Sequence, residues 1–289
     1  MKYTIHKIQK IDQISEIYSN FIINSPQKNI FCSKEILTFF FDDLDIYTIN
    51  KNDKIKSCIY LFKDKNNSII SEPFIYSGIL NHNNSEMKNA RYNNELFRIN
   101  DLIVNKIFSR YSNININLPI NFLDARPFLW FNYGDKIKKK FLVTPRYTSL
   151  IHIHSKTKQE IFENIDDVKK RDIKKAMNDK RYNVSIELNL DLIKNFYIQT
   201  MKKNDGKFNK HSLNKMFEFL KIQKKNKVTQ VTTYIDTTPL YSVVFLNDEN
   251  SSCYLLGSGN IEIKNRYAGS LALWKAIENS IENKIKIID

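Results

Sequence analysis

Hydrophobic positions along the chain fall into helical and alternating stretches, in a similar order in each half. In the first half, Ile14, Ile17, Tyr18, Phe21 and Ile22 recur at helical spacing after Asp12, and Ser33 precedes a second stripe of Ile36, Leu37 and Phe40. Strands are predicted near 45–50, 54–62 and 68–76, separated by Asn, Asp and Lys turns. A helix carrying Leu96, Ile99, Ile103 and Ile107 and a strand from Ile114 to Leu118 complete this half. The second half opens on a predicted strand from Arg146 to His154. Thr157-Lys-Gln-Glu160 has the form of a capping box, opening a helix to about Asn178 with Phe162, Ile165, Ile173 and Ala176 inward. Helices near 191–203 and 212–224 follow, the latter with Ser212 as cap and Leu213, Met216, Phe217 and Leu220 at helical spacing. Val228 to Tyr234 alternates and is rich in β-branched residues, Leu240 to Leu246 is an apolar run, and a third strand starts near Cys253. A Gly-containing basic loop, a helix from near Ala268 and a strand from Lys284 to Asp289 end the chain.

Both halves thus read as helix, helix, three strands, helix, strand, which implies a structural duplication without a residue-level repeat. Asp124 to Gly134, punctuated by Pro127 and Gly134 and followed by the Lys136–Lys140 charge run, bridges them. The expected domains are 1–145 and 146–289, a division that 289 residues can support.

Half of the six glycines, Gly257, Gly259 and Gly269, fall in one short stretch before the last helix. Glycine in a glycine-poor chain marks unusual backbone angles or close approach of a ligand. A strand, a basic loop and a helix start together suit an anion, because unpaired amides and the positive dipole end favour phosphate. A bulge and a turn before a core helix would explain the same residues.

From Arg146-Tyr-Thr-Ser-Leu-Ile-His-Ile, through Arg171-Asp-Ile-Lys-Lys-Ala176 and Asp191-Leu-Ile-Lys-Asn-Phe-Tyr197, to the three-strand meander and the Gly/basic loop, the chain resembles the GNAT acyltransferase superfamily. Within it, the two-domain FemAB-like branch is the nearest pattern, covering about 125–289 well and the first half weakly. The resemblance implies an α/β (α+β) protein of two tandem GNAT-like domains, each a mainly antiparallel mixed sheet flanked by helices. It implies an N-acyltransferase with acyl-CoA as donor co-substrate, its phosphates on the amides of Arg266, Tyr267, Ala268, Gly269 and Ser270. Arg266-Tyr-Ala-Gly269-Ser-Leu271 keeps only the Arg and first Gly of the family's loop. Positioning can supply much of the acceleration in such a transfer, so no fixed triad is required. Tyr254 and Ser258 flank the strand end where the thioester carbonyl or departing thiolate would lie. Tyr254 suits a general acid, and a strand tyrosine equally suits packing. His152 and His154 project from one strand face, and His154 would suit a general base by its pKa range. A His-x-His pair without a third ligand nearby is not read as a metal site.

Phe74, Tyr76, Asp124, Arg126 and Trp130 are aromatic and charged groups near the expected junction, with Arg171 and Lys175 on a basic helix. Aromatics with Arg suit a nucleobase and diphosphate, and the FemAB-like resemblance, which includes enzymes acting on nucleotide-linked amino sugars for surface polysaccharide, implies such an acceptor here. Asp167 pairing with Arg171 at i,i+4 would make that helix an ordinary solvated face. The aminoacyl-tRNA branch of the FemAB-like enzymes commonly carries a long coiled-coil arm, and no heptad segment of that length exists here. A non-catalytic nucleic-acid or anion-binding module is the remaining alternative.

Charge bears on these readings. Lys and Arg exceed acids by 45 to 31, a net +14, which favours an anionic partner. The cations are spread along the chain rather than striped with aromatics, which disfavours nucleic acid. Cys32, Cys58 and Cys253 are widely spaced with no CxxC, as in a reducing compartment. No signal peptide or stretch of ~18 apolar residues occurs, so a cytoplasmic protein, in one copy or as a homodimer, is expected. No Walker loop, dinucleotide fingerprint, nucleophile elbow or H-E-x-x-H motif supports kinase, dehydrogenase or hydrolase chemistry.

Overall fold

The computed structural model describes residues 2–76, 78–84, 87–224 and 226–289. The chain divides into two compact units, Met1–Tyr147 and Thr148–Asp289. In the first unit, β1 (Tyr3–Lys7), β2 (Leu44–Lys51), β3 (Lys54–Phe62) and β4 (Gly78–Asn81) form an antiparallel sheet in sequence order. α1 (Gln13–Asn20) and α2 (Lys34–Phe39) lie between β1 and β2 in the chain. Ser33 caps α2, its hydroxyl accepting from the Ile36 amide. α3 (Asn89–Leu102) runs on through a π-helical turn to Ile107, burying the predicted stripe of Leu96, Ile99, Ile103 and Ile107. Ile99, Ile103 and Ile107 of that stripe pack with Tyr47, Ile49, Ile59 and Ile79, which alternate on one sheet face. α4 (Arg126–Trp130) closes the unit with Pro127 in its first turn, where a missing N–H costs nothing.

The first half departs from the pattern-based reading at the expected 124–134 bridge, which folds into α4 with Phe128 in this unit's core, and at three strands. β1 was not anticipated. The third strand is Gly78–Asn81, not 68–76, where Ile69 makes only isolated bridges to Lys63 and Ile114. Pro73 has no N–H to give a ladder there. The strand expected over 114–118 is reduced to that same Ile114 bridge.

The second unit holds a six-stranded sheet in the order β5 (Ile151–His152), β10 (Ile287–Ile288), β9 (Ser251–Gly259), β8 (Thr238–Asn247), β7 (Val228–Ile235), β6 (Tyr182–Ser185). Every pairing is antiparallel except β10 with β9. The helix expected from Thr157 to Asn178 is two helices, α5 (Lys158–Glu163) and α6 (Asp167–Asn178). The capping box of Thr157 and Glu160 starts the first, and the Asp166 carboxylate, accepting from the amides of Val168 and Lys169, starts the second. α7 (Leu190–Lys203) and α8 (Lys210–Ile222) follow, with Asn209 rather than Ser212 as the cap of α8. α9 (Ala268–Glu282) begins where its pattern predicts and lies across β7 and β8. Trp274 is buried with its ring 4.8 Å from that of Phe162, so the Trp274 face packs the core. β6 was unforeseen, and the expected strands 146–154 and 284–289 each shrink to two residues.

Candidate functional site

The second unit gathers its unusual residues where β9 gives way to α9. The β8–β9 register places Val244 opposite Leu256 but Phe245 opposite Tyr254, so Leu255 is an extra, bulged residue. β10 pairs with β9 only at Ser251 and Ser252, and the Asp289 carbonyl accepts from the Tyr254 amide.

The glycines have steric rather than dihedral causes. None of Gly257, Gly259 and Gly269 has a positive φ; among the described glycines only Gly78 does. A Cβ on Gly257 would stand 2.2 Å from the Tyr254 hydroxyl, and one on Gly259 would stand 2.7 Å from the Tyr241 ring. At Gly269 the nearest atoms, again of Tyr241, are 3.5 Å away, an ordinary contact. Two tyrosine side chains laid over the strand end therefore require Gly257 and Gly259, while Gly269 leaves room.

Burial, with the Tyr241 hydroxyl beside it, pushes the Tyr254 phenol well above its ordinary pKa. Tyr254 is therefore a protonated hydrogen-bond donor at neutral pH. Ser258 is buried on the other face, its hydroxyl 2.8 Å from that of Thr200 on α7. It belongs to a row in which Ser185, Thr232, Ser242 and Ser258 stand opposite one another across four strands. Its partner is thus a protein group.

At the start of α9, the Asn265 side chain accepts from the amides of Tyr267 (3.0 Å) and Ala268 (2.9 Å) and donates to the Tyr182 hydroxyl. The next two amides, of Gly269 and Ser270, have no acceptor among the described residues, as helix geometry dictates for a first turn. Thr233 donates to the Ala268 carbonyl and holds this turn on β7. Arg266, exposed, reaches the buried Asp172 of α6 at 3.3 Å. Lys175 of the same helix lies 5.8 Å over the Tyr267 ring. Arg171 does not pair with the Asp167 carboxylate as expected. Its Nε donates to the Asp167 carbonyl, and Lys170 takes the carboxylate at 2.8 Å. Arg266, Tyr267, Gly269, Ser270 and Lys175 thus share one corner, with Arg171 one turn before Lys175.

His154 is not brought to that corner. Its amide and that of Ile153 donate to the Lys286 carbonyl, and the Lys286 amide donates to Asn250. His154 is therefore level with the start of β9, roughly 13 Å along the strand from Tyr254 and two strand spacings of roughly 4.8 Å across. A shared role for His154 and Tyr254 on one small ligand atom is incompatible with this register.

In the first unit, Asp124, Arg126 and Trp130 come together. The buried Asp124 carboxylate accepts from Arg126 Nε at 2.8 Å and Nη2 at 2.7 Å, and the guanidinium lies 5.2 Å over Phe97 and 5.7 Å over Trp130. An open depression of about 500 Å³ beside them is lined in part by Asn93, Asn94, Leu123 and Leu129. Arg126 is a neutralised, half-committed cation rather than an open diphosphate clamp. Phe74 and Tyr76 are elsewhere. Both are buried with Phe31, Phe74 stacking on it at 5.0 Å and meeting Phe40 and Phe62 edge-on. Their rings build a core and are not offered to a nucleobase. Sequence pattern missed Asn265, Tyr241 and Asp172, which organise the α9 corner; Asn265, three before Ala268, was a visible capping signal.

Among the described residues, no group of three or more His, Cys, Asp or Glu is placed to hold a metal, and no helix is long and apolar enough to cross a membrane. No protein-family model matches the chain, and no curated protein sequence matches it. Solved structures do. FemX aligns over 100% of this chain and 88% of its own, with a TM-score of 0.58 at 8% identity. A tandem GNAT protein from the clavulanic acid biosynthesis pathway aligns over 99% of this chain and 89% of its own, at TM-score 0.52 and 6% identity. A conserved protein of unknown function from Bacteroides thetaiotaomicron gives the same coverage and TM-score at 8% identity. Likeness at such identities speaks for architecture only. The chain has the tandem GNAT fold: two mixed α/β units, each built on a mainly antiparallel sheet flanked by helices.

Proposed function

We propose that the second unit is an N-acyltransferase module that takes its acyl group from acyl-CoA. The observation that carries this reading is the α9 corner. Two amides without acceptors among the described residues open a 15-residue helix, with Arg266 and Lys175 beside its first turn and Arg171 one turn back on α6. Helix amides and a helix dipole favour a phosphate anion, and the flanking cations add to that preference. The α6 cations therefore support the donor's phosphates better than the acceptor's. Tyr254, neutral and beside Tyr241, is the residue we assign to donate a hydrogen bond to the thioester oxygen or the leaving sulfur.

Gly269→Glu tests the donor site. The Cβ has room, so the fold should survive, while the carboxylate would occupy the phosphate position. Calorimetry with acyl-CoA should show binding to the wild type and to Gly269→Ala, and a loss of at least tenfold in Gly269→Glu. Equal affinities in all three would remove phosphate from this turn.

For the acceptor, our finer reading is a nucleotide-linked amino sugar, supported by the net charge of +14 and the family resemblance. The depression beside Arg126 offers one guanidinium edge and the side-chain amides of Asn93 and Asn94. A second reading, the aminoacyl-tRNA-dependent peptidoglycan branch, is favoured by the exposed cations of α6, Lys169, Arg171, Lys174 and Lys175. Acyl transfer assayed side by side with nucleotide sugars, free amines and aminoacyl-tRNA separates the two. Nucleic-acid dependence would also show a steep fall in affinity with salt.

A further inference from the structure

Between Phe131 and Phe141 the first unit carries a loop that plays no part in the chemistry above. Its ends are pinned together: the Phe131 and Phe141 rings are 5.4 Å apart, and Phe141 also meets Phe128 at 5.7 Å and Phe108 at 6.0 Å. The interior is tied as well. Asn132 donates to the Lys139 carbonyl at 2.8 Å, Lys140 Nζ to the Tyr133 carbonyl at 3.1 Å, and the Asp135 carboxylate accepts from the amides of Ile137 and Lys138. A loop with joined ends and its own internal bonds is a formed surface element, a type often used for function.

What this loop displays is unusual. Ile137, at its tip, is 96% exposed, and Leu142, just past its base, is 93% exposed. Lys136, Lys138, Lys139 and Lys140 surround the tip, against one acid, Asp135. Lys136 and Lys139 have no ion-pair partner among the described residues. Leu129, Trp130 and Tyr133 stand exposed on the adjoining α4 and turn. Lysine is depleted from the cores of protein–protein interfaces, so a lysine-ringed aliphatic tip is poorly suited to a protein partner. Anionic headgroups suit both features. Lysines meet the lipid phosphates while an aliphatic tip and amphipathic aromatics enter the interfacial layer.

We propose that the 131–141 loop docks the protein on an anionic lipid surface, with Ile137 as the inserted residue and Lys136 and Lys139 as the main charge contact. The docking is peripheral and reversible, and it is independent of the acyl-transfer reading, because no donor or acceptor takes part in the test.

The full chain is mixed with vesicles of phosphatidylcholine alone or with phosphatidylglycerol, and bound protein is measured by flotation. Binding to the anionic vesicles is expected at about 0.1 M salt, with weakening at about 0.5 M, where screening is stronger. Ile137→Asp should cut binding at least fivefold, and Lys136→Glu/Lys139→Glu, which reverses rather than removes each charge, should cut it by at least about fivefold per lysine. Ile137→Leu should retain it. A +14 protein attracts any anionic surface, so Lys65→Glu/Lys106→Glu, the same charge change at exposed sites of the same unit, is the control. An equal loss in the two double variants, or indifference to Ile137→Asp, would reduce the effect to general charge and overturn the proposal. Ile137→Trp supplies an independent readout, a blue shift in emission on anionic vesicles; an unshifted spectrum at full binding rejects insertion. Absence of vesicle binding together with self-association that Ile137→Asp abolishes would make the loop a contact between copies instead. Ile137 is exposed, so its variants should melt with the wild type.

Discussion

At residue scale, Tyr254 and Gly257 compete for one position: the phenol oxygen stands 2.2 Å from the place of a Gly257 Cβ. Gly257→Ala must move Tyr254 and should cost about 1–3 kcal/mol, the usual range for overpacking. Gly269→Ala, with its nearest neighbours at 3.5 Å, should fall within about 0.5 kcal/mol of wild type. Urea unfolding of both variants checks this contrast. Tyr254→Phe removes the clashing oxygen, so it should recover part of the Gly257→Ala loss; strictly additive effects would mean the two do not share that space. His82 makes a second prediction. Its Nδ1 is 3.2 Å from the Lys56 carbonyl and its Nε2 is 3.3 Å from the buried Glu95. Burial, and then the Lys56 charge, lower its pKa, against the opposing pull of Glu95. Lys51, Tyr3 and Tyr92 complete the surroundings of Glu95 and His82. A histidine with a depressed folded pKa stays neutral while the unfolded chain takes up a proton. The stability it contributes is therefore full above about 6.5 and falls as pH drops toward the folded value. Unfolding free energies at pH 7 and pH 5 should differ more in the wild type than in His82→Gln. Glu95 responds at lower pH: burial alone would raise its pKa, but the Lys51 hydrogen bond and the Lys56, Lys51 and His82 charges outweigh it. Its contribution is present above the ordinary carboxylate range and is lost on acidification below it.

At element scale, capping decides where the α5–α6 segment breaks. The apolar positions Phe162, Ile165, Ile173 and Ala176 continue through the break, so hydrophobic spacing reads them as one helix. Asp166 instead turns its carboxylate to the amides of Val168 and Lys169 and starts a new helix. Asp166→Ala should cost roughly 0.5–2 kcal/mol in urea unfolding, as should Thr157→Ala at the start of α5. A neutral result at Asp166 would mean that packing rather than capping sets the break. Helices with a one-sided stripe, α3, α8 and α9, lie where their spacing places them. Short strands do not. β5, β6 and β10 have two to four residues each and exist through their neighbours in the sheet, which local pattern cannot report.

At the scale of the whole molecule, two units of similar size meet in the chain near Tyr147. Residues 142–150 are exposed and without regular structure, so this stretch offers the protease-accessible backbone between them. Limited trypsin digestion should cut first near Lys140 and Arg146 and leave two fragments of similar mass. Early cuts inside 228–259, where three long strands are hydrogen-bonded, would contradict that division.

The sequence by itself determined the tandem mixed α/β architecture, the antiparallel meander of the second half, the helix at Ala268 and the aromatic and basic character of the chain. Each is written in local periodicity, turn residues or composition, which need no distant partner. The tertiary structure alone decided which marked residues can act together. It laid Tyr241 and Tyr254 over Gly259 and Gly257, and it set Arg266 against Asp172 and Lys175 against Tyr267. It also spent Phe74 and Tyr76 in a core and carried His154 to the far end of β9. Aromatic and charged side chains are equally at home in a core, an ion pair or a binding site. Strand register and helix packing settle which, and both depend on contacts between residues far apart in the chain.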